Sequence, residues 1–589
     1  MTTETHRRAG LVCLGLAVIF SVYSGRLIHL QVGKHEEYSR LAAEKTARKK
    51  VVLAERGIIT DVKGEPLADN VPIYAVVVDG KLATEAKVDR ARLAEILARQ
   101  LGLPGDKVAE RIASERAYIV VQRRVPAETV AAIRDELADA GLRAVMFEKE
   151  PKRNYPNENM LSHVVGFLDH EGKGIQGVEM MMDQFLRGED GFRYIESDRT
   201  GREIVAYRGM ERPARDGCTV ALTVDMALQT IVERELDQAY GMLNPNMITA
   251  VFMRPRTGEI LAMATRPAFN PNDVGKAPVE TTKNRAVIEI YEPGSTFKLV
   301  VIAAALNERA VTPASVFHCE NGSFAYAGKV LRDVHGYGPL TVHDILVKSS
   351  NIGCAKIAMH IGADTFHEYI RRFGFGERSG LGLPGEIPGI VRPRHQWTGL
   401  SITRVPMGHE IAVTPLQIAS ATATIANGGV MMMPQIVHSV RDADGREVMS
   451  FRPQEVRRVV SAETAASVAS ALQEVVSERG TARLASIPGF SVAGKTGTAQ
   501  RVDPKGGYTP GKYVVSFAGY FPAGDPEVAG IVVIDDPRTP GATVYGGTLA
   551  APVFARIGSG MVREMNLVPE TAEADGTTVA LVPFEQPMN

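Results

Sequence analysis

The segment that decides the fold reads EPGSTFKLVVIAAA, at residues 292–305. Pro293-Gly294 is a turn signal, and the apolar run after it is typical of a buried helix. The sequence therefore predicts that Ser295 lies in the first turn of this helix, where backbone N–H groups favour a developing oxyanion. Lys298 lies three residues further on, on the same helical face, and can reach the Ser295 hydroxyl. Because burial lowers the proton affinity of an amine, Lys298 could serve as the general base.

A Ser-x-x-Lys tetrad alone is weak support for a site, because about one or two arise by chance in a chain this long. The alternative is an ordinary serine in a first helical turn with a solvated lysine. Two further motifs, however, follow in order: Ser349-Ser350-Asn351 and Lys495-Thr496-Gly497. The ordered set of three is much less frequent by chance than any one member.

The second motif is predicted to form a polar turn between helical stretches at residues 342–347 and 352–359. A hydroxyl and an amide two residues apart can both face a cleft from such a turn. Ser349 could relay a proton between Lys298 and an amine, and Asn351 could bind a substrate amide. The alternative is a helix-capping cluster, for which Ser and Asn are favoured.

The third motif is predicted to be a strand that lines a cleft. Gly497 lacks a side chain where a substrate backbone could approach, and a strand edge can pair with an extended peptide. Lys495, Thr496 and Thr498 would provide a cationic, hydroxyl-rich site for a terminal carboxylate.

Residues 489–496, GFSVAGKT, also satisfy the phosphate-loop pattern G-x-x-x-x-G-K-[ST]. That motif requires a buried strand before it and a helix after it. Ile487-Pro488 precedes the segment here, and Gly497 with the Asp503-Pro504 turn follows, which disfavours a long helix. Nucleotide binding therefore stays open only as a minor alternative.

Whole-chain properties narrow the class of protein. The 589 residues are 45% hydrophobic and 23% charged, which predicts a folded protein of two or three domains. A formal net charge of −1 argues against a nucleic-acid partner. Cys13, Cys218, Cys319 and Cys354 form no Cys-x-x-Cys pair, so neither a metal site nor any cofactor is predicted.

The N-terminus predicts a membrane anchor. Arg7 and Arg8 precede an uncharged apolar stretch at residues 9–25, near the short end of the roughly 17–25 residues that span a bilayer. Arg26 and His29 can snorkel to the interface, which extends the anchor to residues 9–32. The basic flank predicts a cytoplasmic tail at residues 1–8 and an extracytoplasmic remainder. A cleaved signal peptide is the alternative, although an Ala-x-Ala site is absent.

The rest of the chain divides into three regions. Residues 33–214 mix helical and strand periodicities, with amphipathic helices predicted at 91–101 and 126–137. They show no nucleophile–base pair and predict a non-catalytic spacer or interaction module. Residues 215–566 carry strands near both ends with helices between them, which predicts an α/β sandwich closed by distant segments. The acidic, aperiodic tail at 567–589 is predicted to be disordered.

With these residues in view, the chain resembles a class B penicillin-binding protein. The resemblance implies an N-terminal transmembrane helix, an elongated α+β pedestal or dimerisation module at 33–214 and a serine β-lactamase-like transpeptidase domain at 215–566. The three motifs carry most of the resemblance. Further family-like segments lie across the chain, at residues 56–68, 153–156, 163, 166, 174–179, 413–417 and 545–554.

The resemblance implies a peptidoglycan D,D-transpeptidase without metal or cofactor. Ser295 would attack the penultimate D-alanine of a stem peptide ending in D-Ala-D-Ala, and an amine would then resolve the acyl-enzyme. The backbone N–H groups of Ser295 and Thr498 would form the oxyanion hole. β-Lactams would acylate the same serine. The catalytic set implied is Ser295, Lys298, Ser349, Asn351 and Lys495, and the substrate-binding set is Asn351, Lys495, Thr496, Gly497 and Thr498.

Residues 407–410, MGHE, and the chain length look more like the septal, cell-division branch than the elongation branch. The resemblance then implies a single-pass protein of the inner membrane with a periplasmic catalytic domain. Its partners would be a polytopic glycan polymerase and other membrane proteins of the division complex. An elongation enzyme, a penicillin-recognising sensor or scaffold, and a hydrolase (a D,D-carboxypeptidase or β-lactamase) stay open as alternatives.

Overall fold

A computed structural model describes residues 3–38, 47–197, 203–206, 211–503, 506–538 and 544–570. The chain forms two compact units. The smaller unit comprises residues 1–55, 71–152 and 188–216, and the larger unit comprises residues 56–70, 153–187 and 217–589.

The N-terminal helix runs from Thr3–Ile28 and continues as a π-helical turn at His29–Gly33. The segment His6–Gly33 is long and apolar enough to cross a membrane, and its side chains are exposed in the structure. This helix includes the whole segment predicted as the anchor.

The smaller unit packs helices against strands. Its helices are Gly80–Glu85, Arg90–Leu101, Gly105–Ile112 and Ala127–Asp139. Its longer strands are Ile119–Pro126, most of Val145–Asn154 and the second part of Pro66–Val78. A separate antiparallel sheet has the order Ala47–Val52, Gly191–Ser197, Glu203–Ala206. The helices predicted at 91–101 and 126–137 are confirmed to within two residues.

A five-stranded antiparallel sheet forms the centre of the larger unit. Its order is Ile260–Arg266, Met247–Met253, Val528–Asp535, Tyr508–Phe521 and Ala493–Val502. The central strands are buried along their whole length because helices cover both faces of the sheet. The predicted pairing of strands from both ends of this region is confirmed.

Successive side chains of the central strands alternate between two cores. Val251 and Val533 enter the core that contains Lys298–Asn307 and Pro415–Ala426. Phe252 and Val532 enter the core formed with the helices Met226–Leu243 and Gly546–Glu564. The result is a helix–sheet–helix sandwich, in agreement with the predicted α/β class.

The other elements of the larger unit are short. Its further helices and 3₁₀ turns are Ser162–Val165, Gly177–Met181, Asp183–Leu186, Pro271–Lys276, Val279–Thr282, Arg285–Ile288, Gly294–Phe297, Glu320–Gly322, Val342–Val347, Asn351–Ile361, Ala363–Arg372, Arg394–Gln396, Ser401–Arg404, Val405–Met407, Ala462–Val475 and Arg483–Ala485. Its further strands are Ile59–Thr60, Thr219–Leu222, Val316–His318, Ser323–Tyr326, Lys329–Arg332, Pro339–Thr341, Val430–Met432, Val437–Arg441, Glu447–Ser450 and Glu455–Arg458.

A buried ionic cluster joins two N-terminal segments within the larger unit. Glu179 is fully buried and binds the guanidinium groups of Arg56 and Arg153, each at 2.7 Å. A buried carboxylate is tolerated only with such partners. This cluster holds residues 56–70 and 153–187 together within the larger unit, whereas the domain boundary at 214/215 stays a prediction.

The last described residues contact the larger unit's body. Glu570 accepts hydrogen bonds from the backbone N–H of Ser491 (2.6 Å) and from its hydroxyl (2.9 Å). Most of the tail predicted to be disordered, residues 571–589, lies outside the described residues.

The helix Pro415–Ala426 has a capping box that offers a stability test. Thr414 accepts from the Gln417 N–H at 3.2 Å, and the Gln417 side chain accepts from the Thr414 N–H at 2.9 Å. We expect Thr414→Ala to lower the free energy of unfolding by about 1 kcal/mol, measured by thermal denaturation, because one buried N–H loses its acceptor. Ser470→Ala, an exposed position on Ala462–Val475, is the control and should stay within about 0.5 kcal/mol. Equal shifts for the two variants would contradict this account of the cap.

Candidate active site

Ser295 lies in a 3₁₀ turn, Gly294–Phe297, which leads directly into the helix Lys298–Asn307. The Thr296 hydroxyl donates to the Pro293 carbonyl at 2.9 Å and closes the turn. Gly294 has φ +56°, and a Cβ there would lie 3.0 Å from the Thr498 carbonyl oxygen. The turn thus requires glycine, and the predicted placement of Ser295 at a helix start is confirmed.

Lys298 is fully buried, and the second motif binds its ammonium group. Its Nζ donates to the Ser349 carbonyl (2.5 Å), the Ser349 hydroxyl (3.1 Å) and Asn351 Oδ1 (2.7 Å). These contacts use all three ammonium donors. Among the described residues no hydrogen bond joins Lys298 to the Ser295 hydroxyl, so the lysine is positioned by the second motif. Burial lowers the pKa of Lys298 from its ordinary value of 10.5.

Ser349 lies in the polar turn between Val342–Val347 and Asn351–Ile361, as predicted. Its φ of +60° is uncommon for a residue with a Cβ and indicates local strain. This conformation places both its carbonyl and its hydroxyl on Lys298. Strained backbone that positions two ligands of one amine is typical of a functional turn.

The third motif lies on Ala493–Val502, which forms one edge of the five-stranded sheet. This strand packs directly on the nucleophile turn: a Cβ on Gly497 would lie 2.9 Å from the Pro293 carbonyl and 3.1 Å from a Thr296 methyl group. The Thr498 hydroxyl accepts from the Gly546 N–H at 3.1 Å. The edge strand is therefore fixed beside Ser295.

Lys495 is the second buried lysine of the site, with 1% of its surface exposed. Its pKa lies well below 10.5, because burial disfavours the ammonium and the charge of Lys298 adds to that effect. Within the described residues neither lysine forms an ion pair with a carboxylate. An anionic ligand beside Lys495 would favour the charged form of this buried amine, because it would supply the partner that burial otherwise denies it.

The phosphate-loop alternative is wrong. Gly494, Lys495 and Thr496 lie inside the strand Ala493–Val502, and that strand leads into a second strand, Tyr508–Phe521. A phosphate loop needs a helix at this point, whose N–H groups would face the phosphates.

Several contacts at the site were not predicted from the sequence. Asp333 accepts from the Ser350 hydroxyl (2.6 Å) and from the Asn351 N–H (2.5 Å). Glu292 accepts from the Tyr508 hydroxyl at 2.9 Å and lies 2.9 Å from His409 Nδ1. The only local signal was the preference of Ser350 for a helix cap, which the structure places at the start of Asn351–Ile361.

The other side chains considered as functional groups are His163 and the cysteines. His163 is buried, bonds the Thr281 carbonyl at 2.9 Å and has its pKa lowered to about 4 by desolvation. All four cysteines are free thiols. No group of three metal-ligating side chains was found among the residues that the structure describes.

Comparisons with known proteins agree with this architecture. Residues 248–559 match the family model for the penicillin binding protein transpeptidase domain, and residues 51–222 match the penicillin-binding protein dimerisation domain. Peptidoglycan D,D-transpeptidase FtsI of Escherichia coli K12 is 32% identical over 96% of this chain and 92% of its own length. Stage V sporulation protein D of Bacillus subtilis is also 32% identical, over 96% of this chain and 86% of its own length.

A solved structure has the same fold. Penicillin-binding protein 3 of Mycobacterium tuberculosis, complexed with aztreonam, is 28% identical and has a TM-score of 0.68 over 88% of this chain and 98% of its own. The fold and site thus define a serine acyl-transfer protein whose nucleophile turn packs beside the edge strand of its central sheet. The chain belongs to the penicillin-binding protein transpeptidase family, with the family's dimerisation domain before it.

Gly497 provides a test of the close packing at the site. We expect Gly497→Ala to lower both the melting temperature and the rate of labelling by a fluorescent penicillin, because its Cβ would push the edge strand away from the nucleophile turn. Gly241→Ala is the control, since this exposed helical glycine has nothing within 4 Å of an added Cβ. An unchanged labelling rate in Gly497→Ala would contradict the packing argument.

Proposed function

We propose that this chain is a peptidoglycan D,D-transpeptidase that crosslinks stem peptides through an acyl-enzyme on Ser295. The observation that carries the proposal is the buried Lys298, whose Nζ contacts the Ser349 hydroxyl (3.1 Å) and Asn351 Oδ1 (2.7 Å) one helical turn from Ser295. A buried amine with a lowered pKa can accept the proton of a serine hydroxyl near neutral pH.

In the acylation step, Ser295 Oγ attacks the carbonyl carbon of the penultimate D-alanine. Its proton passes to neutral Lys298. The C–N bond to the terminal D-alanine then breaks, and the Ser349 hydroxyl relays a proton from Lys298 to the departing amine. The contact between Lys298 Nζ and Ser349 Oγ supports this relay.

The oxyanion that forms in this step would be bound by the backbone N–H groups of Ser295 and Thr498. The contact between Gly294 and the Thr498 backbone supports this pair, because it brings the nucleophile turn against the edge strand. Lys495, Thr496 and Thr498 would bind the terminal carboxylate of the donor. Gly497 would leave room for its backbone, and the Asn351 side chain would hold its amide.

In the second step, an amine from a neighbouring stem peptide attacks the ester carbonyl and releases Ser295 with a new amide bond. Lys298 receives the amine's proton through Ser349 and gives a proton to the departing Ser295 Oγ, which restores the serine hydroxyl and the neutral amine. A β-lactam carries a carboxylate and a strained amide that can meet the same groups, and its acyl-enzyme would persist on Ser295. A sensor or scaffold would acylate without turnover, and a carboxypeptidase or β-lactamase would use water as its acceptor.

We place the catalytic unit outside the cytoplasm and the first residues inside. Arg7 and Arg8 lie at the start of the His6–Gly33 segment, and basic residues at the end of a membrane span stay on the cytoplasmic side. We propose a role in septal wall synthesis, supported by residues 407–410 and by the similarity to FtsI. The membrane helix and the membrane-proximal module would contact a polytopic glycan polymerase and other membrane proteins of the division complex.

An acceptor experiment tests the reaction. The full chain in detergent receives a stem-peptide or thioester donor, with and without a D-amino-acid acceptor. We expect an aminolysis product that requires the acceptor, and we expect Ser295→Ala to abolish both this product and penicillin labelling. Ser401→Ala, a buried serine bound to Glu410 at 2.6 Å, is the matched control. Hydrolysis without aminolysis would overturn the transpeptidase proposal. Labelling of the Ser295→Ala variant by the penicillin would overturn the assignment of Ser295 as the nucleophile.

A further inference from the structure

We propose that Asp333 is a positioning residue of this site, which fixes the Ser349–Asn351 turn and thereby the oxygen ligands of Lys298. This inference rests on the proposed function, since it assigns a role around the same base. Asp333 lies outside all three motifs and follows the hairpin strand Lys329–Arg332.

The carboxylate of Asp333 caps the helix Asn351–Ile361. Its Oδ1 accepts from the N–H groups of Asn351 (2.5 Å) and Ile352 (3.1 Å), and its Oδ2 accepts from the Ser350 hydroxyl at 2.6 Å. Ser350 Oγ in turn accepts from the Gly353 N–H at 2.9 Å. The first three N–H groups of the helix are thus all satisfied, and a negative charge stands at its positive end.

This cap determines where the ligands of Lys298 lie. Ser350 is fully buried, so a hydroxyl without its carboxylate partner would be costly. Asn351 is held at both ends, because its N–H donates to Asp333 while its Nδ2 donates to the Arg332 carbonyl at 2.9 Å. Its Oδ1 is then directed at Lys298. The strained φ of Ser349 persists because its neighbours on the C-terminal side are fixed in this way.

Asp333 also acts on Lys298 through its charge. Burial lowers the pKa of Lys298, and the Asp333 carboxylate partly offsets that effect. The other titratable groups that face Lys298 are Lys495 on the edge strand and Cys354 on the helix behind it. Burial raises the pKa of Cys354 to about 12, so the thiol is neutral in the working range. Among the described residues that act on Lys298, Asp333 is therefore the one whose negative charge raises the pKa of this lysine against the effect of burial.

The positioning role and the electrostatic role of Asp333 predict different changes in the pH dependence of acylation. If Lys298 must be neutral to accept a proton, the acylation rate falls as the pH drops through its pKa. Removal of the Asp333 charge lowers that pKa further, so this acid limb moves to lower pH. Loss of positioning alone would lower the rate at every pH and leave the limb in place.

The experiment measures the rate of acylation by a fluorescent penicillin against pH, on the full chain in detergent. In Asp333→Asn we expect a plateau rate about 10- to 100-fold lower, the typical cost of a misplaced catalytic group, and an acid limb at lower pH than in the wild type. Ser350→Ala retains the carboxylate and should lower the plateau without moving the limb. Glu320→Gln is the matched control, because Glu320 pairs with Lys356 on the same helix but touches no ligand of Lys298.

The outcomes separate this inference from the proposed function. Wild-type protein that is not acylated at Ser295 would overturn the proposed function itself. Suppose that the wild type is acylated normally but the acid limb of the rate lies at the same pH in Asp333→Asn; that result would overturn only the role of Asp333. An acid limb that moves equally far in Glu320→Gln would also overturn it. Thermal denaturation verifies that each variant is folded. Should Asp333→Asn not fold, Asp333→Ser carries the same comparison, since its neutral hydroxyl can still accept from the helix N-terminus.

Discussion

The burial of one ammonium group, that of Lys298, is the constraint on which the rest of the site depends. Its three donors reach two oxygens of Ser349 and one of Asn351, and no carboxylate neutralises it within the described residues. Loss of hydration disfavours the charged form and lowers the pKa of Lys298, so a neutral amine that can accept a proton becomes accessible. A serine hydroxyl has little nucleophilicity without a base, and this burial provides one.

At this place the fold holds three segments, which are distant in the sequence, around that amine. The nucleophile turn is fixed by close backbone packing against the strand Ala493–Val502, which is possible only because Gly294 and Gly497 lack side chains. That strand is the edge of the sheet, so one of its sides is open to an extended ligand. The two apolar cores on the faces of the sheet keep these elements in register.

Local sequence patterns predicted much of the fold and of the site. The Pro293-Gly294 turn and the apolar run after it predict the position of Ser295, and alternating or fully apolar runs predict the sheet. The role of Asp333 could not be predicted, because its partners lie 17 to 19 residues away, beyond the strand Pro339–Thr341 and the helix Val342–Val347. The residues of the buried ionic cluster around Glu179 lie in family-like segments, but their contact could not be predicted, since the partners are separated by as many as 123 residues.

The most direct test of the central claim is an NMR titration of the full chain in detergent, with lysine labelled by carbon-13 at Cε. The resonance of Lys298, identified by its loss in Lys298→Arg, should titrate at a pH below that of the exposed lysines, because burial disfavours its charged form. A Lys298 resonance that titrates at the ordinary lysine value of 10.5 would contradict the account.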